Sequence, residues 1–154
     1  MSLIILLDSG PLGLATNPNA TADALACQQW VRHLPDLGHL QLIPAIIDYE
    51  LRRELQLMNR LRALHTLDTL KSLGYLPLTE AALLQAAGFW AEVRRAGLPT
   101  ADRFALDADV ILAAQAATLN SAAWGMAGAD VVIATLNVGH LSRFVDARLW
   151  QDIF

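Results

Sequence analysis

Leu3–Leu12 reads LIILLDSGPL. Five aliphatic residues follow one another with no polar interruption. A strand with one wet face would alternate, so a continuous run marks a strand covered on both faces, as in a parallel sheet. The run stops at Asp8, followed by Ser9, Gly10 and Pro11. Asp8 either forms the turn that follows, or the strand serves to carry a carboxylate at its end. Gly10 and Pro11 are expected to turn the chain away and leave the space beyond Asp8 open.

Similar strands recur, separated by helical patterns. LQLIP gives a short strand over 40–43, stopped by Pro44, and ADVVIAT gives a β-branched buried strand ending at Thr135. YLPLT is a short extended piece and ARLW an edge strand. Between them, apolar residues at i, i+3 and i+4 predict helices over 21–34, 45–58, 61–73, 79–96 and 107–119, with a short turn or helix over 12–16. Thr21 and Thr79 are expected caps, and Gly74, Gly97 and Pro99 are stop signals. Strands alternating with helices predict an α/β fold with a parallel sheet. Such sheets place their sites at the carboxyl ends of the strands, which is where Asp8 lies.

The bulk numbers narrow the function classes. With 154 residues the chain fits one domain, 1–154. Apolar residues make up 55%, a surplus suited to an oligomer interface. No run is long enough to cross a bilayer, and LIILL lacks the basic flank of a signal peptide. Cys27 is the single cysteine, which fits a reducing compartment and a cytoplasmic protein; it reads as a small buried apolar residue. Net charge is −4, so there is no global basic footprint for nucleic acid. Lys71 is the one lysine among eleven basic residues; Arg pairs such as Arg52/Arg53 read first as solvated faces or interface salt bridges.

The sequence has no Gly-rich phosphate loop, no metal spacing among its four histidines and no nucleophile elbow. Carboxylates at special places remain. Asp8 ends the first strand. Glu50 lies about one turn inside the helix after the second. Asp107 and Asp109 sit at the expected start of the apolar helix VILAAQAATL, where either could simply be a cap. Thr135 and Asn137 close the ADVVIAT strand. Asp130 opens that strand at its far end and reads as structural. Asp48 is two residues from Glu50 and so points elsewhere. If the strands of Asp8 and Asn137 are neighbours, three carboxylates and an amide share one cleft. Clustered carboxylates repel unless a cation neutralises them, and a hard ion, Mg²⁺ or Mn²⁺, meets that need. Such an ion supports phosphoryl chemistry.

At these residues the sequence resembles the PIN-domain family of metal-dependent ribonucleases, in particular the VapC-like toxins. The matching pieces are IILLDSGPLG, IPAIIDYELRREL, LDADVILAAQA and VVIATLNVGHLSRF, in order along nearly the whole chain. The resemblance implies a three-layer fold, a central parallel sheet of four or five strands flanked by helices. It assigns Asp8, Glu50 and Asp109 as the acidic metal ligands and Asn137 as a fourth, neutral site position, with Ser9, Thr135 and Asp107 in support. It further implies Mg²⁺- or Mn²⁺-dependent cleavage of single-stranded RNA, a homodimer and an antitoxin partner. Arg52 or Arg53 would touch the RNA backbone. In place of the common aromatic after the Asn stand His140 and Phe144, and His140 reads first as a surface turn residue, with a substrate contact as the lesser reading. Asn137 lowers the charge of the site, so the alternative is a catalytically weak or inactive PIN-like scaffold that binds protein or RNA. A haloacid-dehalogenase type of phosphohydrolase would carry a second Asp where Gly10 stands.

Overall fold

The computed structural model of the protein describes residues 1–97 and 103–154; Pro99, expected as a stop signal, lies outside them. Strand β1 (Leu3–Leu7) is buried at every position. It is the middle of a five-stranded sheet with β2 (Leu40–Pro44), β3 (Tyr75–Leu76), β4 (Asp130–Thr135) and β5 (Ala147–Leu149), in the order β3-β2-β1-β4-β5. Every pairing is parallel. Burying each side chain of Ile4 to Leu7, none of which has any exposure, contributes about 1.5–3 kcal/mol, which is why the aliphatic run takes the centre.

Six α-helices flank the sheet among the described residues: α1 (Ser9–Thr16), α2 (Ala22–His33), α3 (Ala45–Leu57), α4 (Leu61–Leu73), α5 (Glu80–Ala96) and α6 (Arg103–Ala117). The architecture is the PIN-like α/β arrangement that the sequence resemblance implies. None of the helices is long and apolar enough to cross a membrane. Thr21 caps α2 by accepting from Ala24 N–H, and Thr79 caps α5 by accepting from Ala82 N–H. Gly97, with φ +61°, closes α5 in the left-handed region that glycine enters without strain. Gly74 ends α4 for a different reason. A Cβ there would stand 2.4 Å from the Gln41 carbonyl oxygen, so only glycine lets β3 pack beside β2.

Two expectations about helix starts are corrected. Helix α1 begins at Ser9, directly after Asp8, rather than at residue 12. Gly10 and Pro11 therefore lie in its first turn, where proline is tolerated because no intrahelical N–H is needed. They do not turn the chain away. Helix α6 begins by Arg103, so Asp107 and Asp109 are interior to it and neither caps it. The apolar periodicity starts only near Val110, but Ala105 and Leu106 are strong helix formers that extend the helix backwards.

Helix α3 has an N-terminus with no side-chain cap, because Pro44 occupies the cap position. Gln115 of α6 supplies the missing acceptor. Its Oε1 accepts from Ile46 N–H at 3.3 Å, and its Nε2 donates to the Leu76 and Pro77 carbonyls at 3.1 and 3.3 Å. This buried amide ties α3, α6 and the end of β3 together, satisfying backbone groups that would otherwise be buried without partners.

Candidate active site

Parallel pairing of β1 and β4 sets Leu7 opposite Ala134, so Asp8 and Thr135 leave the sheet side by side at its carboxyl edge. Asp8 is the N-cap of α1 and also faces the cleft. One carboxylate oxygen, Oδ1, accepts from Ser9 N–H at 2.7 Å. The other, Oδ2, accepts from the Thr135 hydroxyl at 2.7 Å. The start of α1 favours negative charge at this point. Thr135 is 2% exposed; having given its proton to Asp8, its hydroxyl accepts from Asn137 N–H at 3.2 Å. Asn137 is exposed, and its Oδ1 accepts from Gly139 N–H at 3.0 Å.

Asp109 and Glu50 reach the same region from two helices. Burial pushes the Asp109 carboxyl up to about 6, helped by the charges of Asp8 and Glu50. Burial likewise raises Glu50, with the charge of Asp8 next in weight; the Ser9 side chain and Arg53 pull it down. The charge of Asp8, just past β1, thus reaches both Glu50 on α3 and Asp109 on α6, and that of Glu50 reaches Asp109, as like charges in a partly desolvated site do. A pocket of about 300 Å³ opens over Asp8, Ser9, Asp109, Thr135 and Asn137. Glu50 stands outside its lining, on the Ser9 side.

The donor set is all oxygen (carboxylate, hydroxyl and amide), the kind a hard divalent cation takes. Asp8, Glu50 and Asp109 would hold it, and the repulsion among them is what a cation would relieve. The carboxylates are not closed around one point, however. Among the described residues no three His, Cys, Asp or Glu side chains are gathered tightly enough to hold a metal ion as they stand.

Other expected participants fall elsewhere. Asp107 is exposed and does not line the pocket, because two residues along a helix turn the side chain away from the face of Asp109. Arg52 is committed to structure. Its guanidinium donates to both Asp48 oxygens at 3.2 and 2.9 Å and to Asp68 at 2.8 Å, with Lys71 donating to Asp48 at 3.4 Å. Burial raises the Asp48 carboxyl, but Arg52 and Lys71 outweigh it and hold it below its ordinary value. This network joins α3 to α4 on the face opposite Glu50. Arg53 is exposed and lies over the Tyr49 ring at 5.2 Å. Asp130 is exposed at the amino end of β4, away from the cleft. Cys27 is buried, and desolvation pushes its thiol up to about 11. His140 lies in a turn, as expected, but is half-buried and lines the pocket. Gln115 went unremarked in the sequence, although a single amide inside VILAAQAATL is the signal that marks it.

Taken together, a PIN-like sheet and an acidic edge of three carboxylates define the class of site. No protein-family model matches the sequence, and comparison with curated proteins finds no match. Solved structures do match. VapBC2 from Rickettsia felis, bound to a DNA fragment from their promoter, superposes with a TM-score of 0.65 at 14% identity, over 96% of this chain and 99% of that chain. VapBC-1 from nontypeable Haemophilus influenzae gives 0.67 at 17%, over 97% and 100%. FitAcB from Neisseria gonorrhoeae gives 0.64 at 19%, over 97% and 99%. At these identities the likeness is one of fold, and it spans nearly the whole chain: the protein has the PIN-like fold of these structures.

Proposed function

We propose that the chain is a Mg²⁺- or Mn²⁺-dependent endoribonuclease that cleaves single-stranded RNA, the toxin of a toxin–antitoxin pair. The observation that carries this reading is the convergence of Asp8, Glu50 and Asp109 from three separate elements on one sheet edge, where the charge of Asp8 raises both Glu50 and Asp109 and that of Glu50 raises Asp109. A structural ion-pair network would instead match acids with bases, as Asp48 does with Arg52 and Lys71.

In this reading Asp8 is the fixed ligand. Ser9 N–H and Thr135 hold both its oxygens, leaving each oxygen a second lone pair aimed outward. Asp109 and Glu50 are the ligands whose charge the site disfavours, through burial and the charge of Asp8, until positive charge arrives. The cation would supply Lewis-acid activation of water and neutralise charge on the phosphodiester. The likeness to the VapBC and FitAcB structures supports an antitoxin partner. An acidic cleft attracts a cationic side chain from such a partner. The apolar surplus suits that interface or a homodimer.

The test is incubation of the purified chain with a mixed RNA pool and Mn²⁺ or Mg²⁺, beside Asp109→Asn and an EDTA control. Metal-dependent cleavage lost in the variant supports the reading; equal cleavage by both proteins, or none by either, defeats it. A second reading, a scaffold with weak catalysis, is favoured by the open spacing of the three acids and by the engagement of Asn137 Oδ1 with Gly139. It predicts RNA or partner binding without turnover.

A further inference from the structure

The acidic pocket has an unused donor on its wall. His140 is half-buried there, beside the cleft that holds Asp8 and Asp109. Its side chain makes no hydrogen bond or ion pair within the described residues. Its position is nevertheless fixed. Leu141, the next residue, is 2% exposed. Ser142 N–H donates to the Val138 carbonyl at 2.9 Å, and Gly139 N–H donates to Asn137 Oδ1 at 3.0 Å. The loop after β4 is thus a hydrogen-bonded frame that presents an imidazole to the pocket.

The chemistry of the other described lining residues sharpens the point. They are acids, hydroxyls, an amide, glycine and aliphatics, and His140 is the one side chain among them that can carry positive charge. A phosphodiester brought to carboxylates needs donors on the side away from the cation. Arg52 cannot supply one, since Asp48 and Asp68 occupy it. Arg53 lies on the Glu50 side, over Tyr49. A neutral imidazole suffices, because either tautomer presents one N–H. At about 300 Å³ the pocket is at the low end of ligand sites, room for one phosphate with its sugar rather than a duplex.

Building on the nuclease reading, we infer that His140 is a substrate-binding residue, donating its ring N–H to a non-bridging phosphate oxygen of the bound RNA strand. It holds the phosphodiester against the acidic edge and takes no part in holding the cation.

The test measures binding apart from cleavage. A labelled single-stranded oligoribonucleotide is titrated with wild type, His140→Ala and His140→Gln in Ca²⁺, with fluorescence anisotropy as the readout, and Mn²⁺ affinity is measured for each protein without RNA. Loss of a hydrogen bond to a charged group predicts RNA binding weakened about 10-fold or more in His140→Ala. Mn²⁺ affinity is expected to stay unchanged, and the Gln amide to restore most of the RNA affinity. Wild-type RNA affinity in His140→Ala, no rescue by Gln, or a parallel loss of Mn²⁺ affinity would overturn the inference. So would a wild type that binds no RNA. Wild type that binds RNA through His140 yet leaves it uncut in Mn²⁺ removes the nuclease reading and keeps the phosphate contact.

Discussion

Thr135 donates a 2.7 Å hydrogen bond to Asp8 across 127 positions of sequence. The bond exists because β1 and β4 are parallel neighbours in register, and it joins the two strand ends on which the acidic edge is built. Asp8 is therefore both the cap of α1 and a site carboxylate. One oxygen serves the helix and the other is held by Thr135.

Thr135→Val removes that donor while keeping the buried shape. A hydrogen bond to a charged group contributes about 1.5–3 kcal/mol, so cleavage in Mn²⁺ is expected to fall about 10- to 100-fold, with Thr135→Ser close to wild type. Equal rates for Val and Ser would mean that Thr135 does not position Asp8.

Asp109 makes folding stability depend on pH. Burial chiefly raises its folded pKa to about 6 from the ordinary 3.8. The folded state then holds this proton more tightly than the unfolded state, so stability is full below about 4 and falls as pH rises through about 6. Melting temperature in EDTA is expected to drop across that window, and Asp109→Asn to flatten the drop. Added Mn²⁺ is expected to stabilise more at pH 7 than at pH 5, because protons compete for the same carboxylates.

Asp48 anchors the helix that carries Glu50. Asp48→Ala leaves Arg52 and Lys71 without their shared partner and is expected to destabilise the fold by about 1–3 kcal/mol in urea unfolding. Because the network lies on the far face of α3, Asp8 and Asp109 stay in place. A loss of activity larger than the loss of folded protein would show that the network also sets the angle of Glu50.

Gln115 is the corresponding tie on α6. Gln115→Leu is isosteric enough to fill the space but strands the Ile46 N–H and two carbonyls. Each buried group left unpaired costs about 1–3 kcal/mol, so the variant is expected to unfold at clearly lower urea while Gln115→Glu, which keeps an acceptor for Ile46, loses less on that arm. Unchanged unfolding midpoints would show that water replaces the amide.

The order of strands and helices was legible because LIILL, LQLIP and VVIAT are continuous apolar runs whose burial dominates local choices. The meeting of Asp8 and Thr135 was legible, since both stand at strand ends and follow from parallel topology. Helix starts were not. Ser9–Pro11 reads as a turn in isolation, yet the Asp8 cap draws it into α1. The start of α6 was hidden because its first turns lack the apolar period. Arg52 reads as a free cation until α4 brings Asp68 beside it. His140 looks like loop decoration until its neighbour Leu141 is buried and fixes the ring at the pocket wall. In each case the missing information was a tertiary contact, which a linear pattern does not carry.

The central claim is that Asp8, Glu50 and Asp109 act as one cation site. Calorimetric Mn²⁺ titration of wild type, Asp8→Asn, Glu50→Gln and Asp109→Asn tests it directly. The account predicts saturable Mn²⁺ binding by wild type, weakened about 10-fold or more by each substitution. Wild type that binds no Mn²⁺, or three variants that bind it as wild type does, would contradict it.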